Sequence, residues 1–253
     1  MGLQGKTKWK VFIRSLFVQA CWNFETMQSA GFLYSLLPGL EELYGDEEGK
    51  LGDAAMRHSE FFNTHPYFAS HLVGMSLAME EKIKCAELDP ASVNAAKVGL
   101  MGSLGAIGDS YFWGSLKPLA SLISVLIALL NPYLGALFLL IFYNVFHLRT
   151  RMIGFTHSIR SPEGVYQYLR KNDFAGRNEY IRAFILIFLG IYLGYFISRT
   201  LPPDEGFVLA SIHFGLSIGL VVALEFVYRK IAVISEIIVF SSFFLFLISL
   251  ALR

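Results

Sequence analysis

The sequence predicts an all-α protein that crosses a membrane several times. Of its 253 residues, 55% are hydrophobic and only 16% are charged, and the mean hydropathy is +0.52. This composition lies well outside that of ordinary soluble domains. The second half of the chain contains several apolar stretches close to the roughly 20 residues that a helix needs to cross a bilayer. The formal net charge of +1 gives no general attraction to nucleic acid, so no such partner is expected.

The chain is predicted to begin with an amphipathic basic helix. Apolar residues recur at helical spacing from Trp9 to Met27, whereas Lys8, Lys10 and Arg14 fall off this stripe. One aromatic face and one basic face suit the cytoplasmic surface of a membrane. The same pattern also suits a helix packed on its own protein.

The stretch from residue 41 to 97 is polar, and no membrane-spanning segment fits there without burying charge. Thr64-His65-Pro66 and Asp89-Pro90 are typical of helix starts, because proline suits the first turn and aspartate can cap it. The paired acids are expected to be solvated; they are Glu41/Glu42, Glu47/Glu48 and Glu80/Glu81. Residues 1–97 are therefore predicted to form an amphipathic and polar helical region at the cytoplasmic membrane interface.

The stretch Val98–Leu116 is apolar, rich in glycine and contains one charge, Asp109. Two structures suit it. A helix would use its glycines, and the pair Gly102 and Ala106, for close approach of a second helix. A broken or re-entrant segment would instead line a polar cavity. In both structures Asp109 is expected to face protein or water, because a carboxylate at membrane depth costs about 2.5 to 3.5 kcal/mol.

The membrane-embedded region is predicted to be 98–253, with about four to five apolar segments after the glycine-rich one. Leu119–Phe146 has no charge, and Asn131-Pro132 near its centre predicts either a kinked span or two half-spans. Three further apolar segments cover about 183–201, 207–226 and 231–252.

The charges between these segments predict their orientation. The stretch 147–182 has seven Lys or Arg against three acidic residues, which predicts a cytoplasmic loop. The loop Ser198–Gly206 is predicted to be extracytoplasmic, so the C-terminus would also lie outside.

Motifs for catalysis are missing from the sequence. It has no phosphate-binding glycine loop, no zinc-protease helix and no serine elbow. The histidines His58, His65 and His71 are six or seven residues apart, which does not suit a metal site. We therefore expect no enzyme activity of its own, no cofactor and no metal.

Polar and aromatic residues within apolar surroundings suit a hydroxylated ligand such as a sugar, since carboxylates and amides hydrogen-bond and aromatic faces stack. The same residues also suit pairing with one another between helices. The candidate binding residues are Trp22, Glu60, Asn63, His65, Asp109 and Trp113.

Three blocks of the chain are similar, in order and spacing, to one known family. They are Trp22–Gln28 (WNFETMQ), His58–Pro66 (HSEFFNTHP) and Lys97–Pro118 (KVGLMGSLGAIGDSYFWGSLKP). The likeness runs from about residue 10 to 250. The chain resembles the enzyme IID subunit of the mannose/fructose/sorbose-type bacterial phosphotransferase system. It differs from common members at Ser103 and Ser110, where those have proline, and the difference affects the expected turn geometry.

The resemblance implies a multi-pass protein of the bacterial inner membrane that pairs with a IIC subunit to translocate a hexose. IIA and IIB proteins would relay phosphate on their own histidines, and IID would carry no phosphorylated residue. The IIC–IID pairs would form a higher oligomer, and the candidate residues would line the translocation site or the IIC contact. Alternatives are a non-phosphorylating sugar permease, a sensor subunit of an incomplete system, and a pure scaffold for IIC.

Overall fold

The computed structural model describes residues 2–200. That part of the chain is helical, with isolated bridges but no strand. Its helices, in chain order, are α1 (Gly5–Ser15), α2 (Ser29–Tyr44), α3 (Lys50–His58), α4 (Ala69–Lys84), α5 (Pro90–Gly108), the π segment (Asp109–Leu116), α6 (Lys117–Ala128), α7 (Pro132–Ser158), α8 (Gly164–Lys171) and α9 (Phe174–Thr200). The predicted spans 207–226 and 231–252, and the predicted loop beyond Thr200, lie outside the described residues.

The first helix is shorter than its sequence pattern predicts. The prediction of one helix from Trp9 to Met27 is wrong, because α1 ends at Ser15 and turns follow. Asn23 explains part of the difference, since its Oδ1 accepts the backbone N–H groups of Glu25 and Thr26 at 2.9 and 2.8 Å. An asparagine that bonds the backbone in this way favours a turn over a helix.

Helix α4 lies at the centre of the core. All its residues from Ala69 to Glu80 are buried, and it packs closely along α7. Glycine makes this approach possible: a Cβ at Gly154 would lie 1.9 Å from Cε1 of His71, and a Cβ at Gly74 would lie 2.9 Å from the Phe155 carbonyl oxygen. Because α4 and α7 come from the two predicted regions, 1–97 and 98–253 share one hydrophobic core in the described chain.

Helix α5, the π segment and α6 form one continuous helix of 39 residues, Pro90–Ala128. Asp89 caps it as predicted, because its Oδ1 accepts the Ala91 N–H at 2.7 Å. The glycine-rich stretch is thus helical, and it widens into a π-helix from Asp109 onward. Ser110, where proline is common in the family resembled, accepts a hydrogen bond of 2.6 Å from Nδ2 of Asn178 in α9.

The apolar stretch after residue 119 contains two helices. Helix α6 ends at Ala128, Asn131 caps α7, and Pro132 takes the first position of α7. The two helices pack on each other, and Oγ of Ser124 donates to the Gly135 carbonyl at 2.8 Å. The Asn131-Pro132 break therefore reverses the chain. Pro90–Ala128 and Pro132–Ser158 are the helices of the described chain that are long and apolar enough to cross a membrane.

Part of the predicted cytoplasmic loop 147–182 is helical. It contains the end of α7, all of α8 and the beginning of α9. The Tyr168 and Phe174 side chains of this stretch are buried and join the core, with ring centroids 6.0 Å apart.

A buried ionic cluster lies between α3 and α4, and it contradicts the prediction that Glu80 is solvated. Glu80 is fully buried and accepts hydrogen bonds from Arg57 at 2.7 and 2.9 Å, from His58 Nε2 at 2.8 Å and from the Tyr44 hydroxyl at 2.9 Å. The Lys97 ammonium donates to the Arg57 carbonyl at 2.7 Å. Sequence reasoning grouped Glu80 with Glu81 as a surface pair, but the buried surroundings of α4 decide otherwise.

The charges of this cluster lie on Glu80 and on the two cations Arg57 and Lys97. Burial lowers the pKa of His58, so its ring is neutral at pH 7 and donates its Nε2–H to Glu80. Burial raises the pKa of Glu80, but the hydrogen bonds from Arg57 and His58 outweigh burial and hold it at about 2. Because the pKa in the folded chain is below the ordinary 4.5, the ionised cluster stabilises the fold at neutral pH.

We expect Glu80→Gln to lower the free energy of unfolding at pH 7 by about 3 kcal/mol, because it leaves the partly buried Arg57 charge without this counter-ion. Wild-type protein should lose this contribution as pH falls from 4.5 towards about 2, and the variant should lack that loss. Thermal unfolding in detergent across this pH range measures both effects. Glu87→Gln, at an exposed glutamate, is the control. Equal stability of the two variants at pH 7 would show that the cluster is not stabilising.

Candidate functional site

A cleft of about 470 Å³ lies where the 19–28 turn, the 63–66 segment and the long helix meet. It brings together Trp22, Asn63, His65, Asp109 and Trp113, which are five of the six residues predicted from the sequence. The other lining residues are Gln19, Gln28, Thr64, Pro66, Met101, Gly102, Gly105 and Ala106. Glu60 is exposed and is not among the lining residues.

Gln28 and Thr64 hold the three parts of the cleft together. The Gln28 amide donates to the Thr64 carbonyl at 2.8 Å and accepts the Thr64 N–H at 3.3 Å. The Thr64 hydroxyl then donates to the Met101 carbonyl in α5 at 2.9 Å. Both side chains are buried, so these bonds fix the segment before His65 against the helix. Sequence reasoning missed both residues, although each belongs to a recognised block.

Glycines in α5 determine how closely this segment approaches. A Cβ at Gly105 would lie 3.8 Å from the His65 backbone nitrogen, and a Cβ at Gly108 would lie 2.3 Å from both Cβ and Cγ of His65. By contrast, Gly99 and Gly102 have no such neighbours within 4 Å in the described chain. Gly108 is therefore required for the close packing of His65, Gly105 would tolerate a Cβ at ordinary contact distance, and Gly99 and Gly102 leave an open face.

His65 is packed among aromatic rings in the cleft wall. Its ring is stacked on Phe112, with centroids 5.3 Å apart and an interplanar angle of 15°, and lies 4.7 Å from Trp113. Residue His65 as a whole is 1% exposed. Burial lowers the pKa of His65 to about 3, with a further lowering by the charge of Arg151, so the ring is neutral at pH 7.

The accessible rim of the cleft combines one carboxylate with two indole rings. Asp109 is exposed at the start of the π segment and is the only charged residue among the described residues that line the cleft. Trp22 and Trp113 are 45% and 47% exposed. An acceptor group and aromatic faces around a small cavity can bind a neutral ligand that offers hydroxyl groups and C–H surfaces.

The described residues contain no group of three or more His, Cys, Asp or Glu side chains arranged to hold a metal ion. His58 and His71 are fully buried, as is His65 at 1% exposure, which agrees with a structural role rather than with a solvated one for these three rings.

Comparison with known proteins supports a family assignment. Residues 2–199 match the family described as the PTS system mannose/fructose/sorbose family IID component. The chain belongs to this family of IID components. The resemblance seen in the three sequence blocks is thereby confirmed over most of the chain.

Curated relatives of this IID chain differ in the sugar that their names carry. The present chain is 41% identical over 145 residues to the PTS system mannose-specific EIID component of Escherichia coli K12, and the match covers 57% of this chain and 51% of that protein. It is 29% identical over 201 residues to the fructose permease IID component of Bacillus subtilis, covering 79% and 73%. The match to the Escherichia coli protein thus spans about half of that relative's length.

Solved structures share the fold of the IID chain. One, titled as a membrane protein, has a TM-score of 0.76 at 28% identity and covers 99% of this chain and 97% of its own. Another is a chain from the complex of the mannose transporter ManYZ with microcin E492, with a TM-score of 0.61 at 28% identity, covering 98% and 97%. The helical fold of the described chain is therefore shared with a solved membrane protein and with a chain of the ManYZ complex.

We expect Gly108→Ala and Gly102→Ala to have opposite effects on stability. Gly108→Ala adds a methyl group that clashes with Cβ and Cγ of His65, so it should lower the free energy of unfolding by about 1 to 3 kcal/mol. Gly102→Ala adds a methyl group that meets only open space, and alanine favours a helix over glycine, so this variant should stabilise the isolated chain by up to about 1 kcal/mol. Thermal unfolding of the purified chain measures both changes. Unchanged stability of Gly108→Ala would contradict the close seating of His65.

Proposed function

We propose that this chain is the IID subunit of a phosphoenolpyruvate-dependent sugar phosphotransferase system of the bacterial inner membrane. With a IIC subunit it forms the channel that translocates a hexose of the mannose/fructose/sorbose class, coupled to phosphorylation by IIB. The chain itself is non-catalytic. The observation that carries the proposal is the cleft with its single carboxylate and two tryptophans, within a chain of the IID family.

The charge of the cleft favours a neutral sugar over a phosphorylated one. Asp109 is its single charge and His65 is neutral, so the described cleft offers no cation to a phosphate group. A carboxylate accepts hydrogen bonds from hydroxyl groups and repels an anion at the same distance. Trp22 and Trp113 can stack on the C–H face of a sugar ring. These properties suit uptake of free hexose and release of its phosphate ester.

The open face of α5 is the proposed contact with IIC. Val98 is 54% exposed, and Gly99 and Gly102 have open space beside them. Small residues on an apolar helix let a second membrane helix approach closely. The face adjoins the cleft at Gly102, so a IIC helix seated there would close one side of the sugar site.

The proposed membrane arrangement follows the charge distribution. Residues 1–97 lie at the cytoplasmic interface, 98–253 are embedded in the membrane, and the stretch 147–182 faces the cytoplasm, where the IIB protein docks. IIA supplies phosphate to IIB, and the IIC–IID pairs assemble into a higher oligomer. The seven positive charges of 147–182 support this orientation.

Transport assays with reconstituted components test the function. The chain, its IIC and IIB partners and the phosphate-donating proteins are placed in proteoliposomes, and uptake of a panel of labelled hexoses is measured. Asp109→Asn should reduce uptake about tenfold, the cost of one charge-assisted hydrogen bond, while co-purification with IIC is unchanged. Asp46→Asn, at an exposed carboxylate outside the cleft, is the control. Full uptake by Asp109→Asn would show that Asp109 does not belong to the sugar site.

Labelling of single cysteines tests the orientation. Cys21 and Cys85 are both exposed and are first replaced by serine. A cysteine is then placed at Tyr166, which is 66% exposed in α8. A membrane-impermeant maleimide should label it in inside-out vesicles and leave it unmodified in intact cells. Labelling from outside intact cells would contradict the proposed topology and indicate the opposite orientation.

A further inference from the structure

The long helix carries two charged residues in its apolar part, 98–128, and the proposed function uses one of them. Asp109 lines the cleft, whereas Lys117, at the start of α6, is not among the lining residues. Both residues are exposed. A charged lysine within the hydrocarbon region is costly, so such residues are rare and usually pair with another group or face water. The cleft therefore leaves the exposed charge of Lys117 unexplained.

The packing of α6 on α7 gives the depth of Lys117. Oγ of Ser124 in α6 donates to the Gly135 carbonyl in α7 at 2.8 Å, and the two helices run in opposite directions. Lys117 precedes Ser124 by about two helical turns, so it lies beside about residue 142 of α7. Exposed apolar side chains recur along 133–148 of α7. Lys117 thus lies about 9 Å inside the edge of this apolar surface.

The described residues do not supply a counter-ion for Lys117. Among them, no salt bridge involves this lysine. Asp109, the other charge of the stretch, lies roughly two turns earlier along the helix, which is too far for an ion pair. The neighbours Leu116 and Leu119 are buried in the protein, so the lysine is on the opposite, uncovered side of the helix.

Lys117 lies on the same face of the long helix as the proposed IIC contact. Exposed residues follow one another every three or four positions, and each interval is close to one helical turn. They are Val98, Gly102, Ala106, Asp109, Trp113 and Lys117. Buried residues occupy the other side of the helix, and they include Leu104, Gly108, Phe112 and Leu116. One exposed stripe therefore joins the open face of α5, the cleft and Lys117.

We infer that Lys117 forms an ion pair with a carboxylate of the IIC subunit, within the membrane-embedded contact between the two subunits. The inference rests on the proposed function, because it assumes that a IIC helix covers this stripe. A carboxylate is the occupant that the charge of Lys117 favours, since pairing removes the cost of an isolated charge in hydrocarbon. The pair also sets the register of the IIC helix beside the cleft, because one buried polar contact can specify how two helices align.

Removal of the charge tests the inference. The full chain and its IIC partner are purified, and the dissociation constant of their complex is measured in detergent. Lys117→Gln should raise this constant at least about thirtyfold, because it leaves the IIC carboxylate buried and unpaired. Lys117→Arg keeps the charge and should stay within about threefold of the wild type. Lys50→Gln makes the same chemical change at a lysine of α3 whose side chain is 63% exposed, and it should match the wild type.

Charge reversal identifies the partner. Lys117→Glu places two carboxylates together and should weaken the complex more than Lys117→Gln does. Each Asp and Glu in the membrane segments of IIC is then changed to Lys in turn. One of these changes should restore the binding of Lys117→Glu to within about tenfold of the wild type. The same change should weaken binding to the chain that keeps Lys117. A purely structural role of Lys117 within its own chain predicts no such rescue.

The outcomes separate this inference from the proposed function. If the wild-type chain does not bind IIC, the proposed function fails. If it binds but Lys117→Gln matches the wild type, the inference is overturned, and the lysine reaches lipid headgroups or water instead. It is equally overturned if no IIC substitution restores the binding of Lys117→Glu. Should thermal unfolding show that Lys117→Gln also destabilises the isolated chain, the charge-reversal rescue decides.

Discussion

The cleft depends on the close approach of one short segment to one helix. His65 lies against α5 because Gly108 has no side chain to keep it away, and Gly105 is in ordinary contact with the backbone of Thr64 and His65. The Gln28 and Thr64 hydrogen bonds then tie the segment and the 19–28 turn to the same helix. Glycine weakens a helix by about 1 kcal/mol per residue, so tertiary contacts must offset this cost. At Gly108 the packing of His65 supplies such a contact.

Glu80 and Asp109, two carboxylates in apolar parts of the chain, differ in whether their charge is paired. Glu80 is fully buried and is compensated by Arg57, with His58 and Tyr44 completing its hydrogen bonds. Asp109 has no ion-pair partner in the described chain and opens onto the cleft. A paired buried charge holds helices in place, whereas an unpaired one remains available to a ligand. Glu80 and Asp109 therefore differ both in burial and in pairing, and Asp109 is the carboxylate of the two that is proposed to bind a ligand.

The π segment adds a second feature at the cleft. It begins at Asp109, contains Trp113, and joins α5 to α6 without a break. A π-helix widens the backbone and changes the angular spacing of its side chains, and such segments recur at functional sites. Here the bond from Asn178 to Ser110 links the segment to α9, so the position of Asp109 is connected to the packing of the later helices.

Much of this chain could be predicted from local sequence, and the errors have physical causes. Composition and the length of the uncharged stretches were enough to predict an all-helical membrane fold, and the three sequence blocks were enough to identify the family. Both inferences depend on residues close together in the chain. The Asp89 cap and the Asn131-Pro132 break also depend on neighbouring residues. Local pattern failed for the predicted helix 9–27, where Asn23 forms a turn with Glu25 and Thr26, and for Glu80, whose partners lie in α2 and α3.

The sequence by itself determined the membrane class, the family and the polar residues that deserved testing. Only the tertiary structure decided that five of the six meet in one cleft and that Glu60 lies outside it, because those residues come from segments more than 35 positions apart. It also decided the tautomer of His65, which depends on the Tyr67 N–H and the packing of Phe112. Distances between separate segments are set by packing, and no local pattern in the chain encodes them.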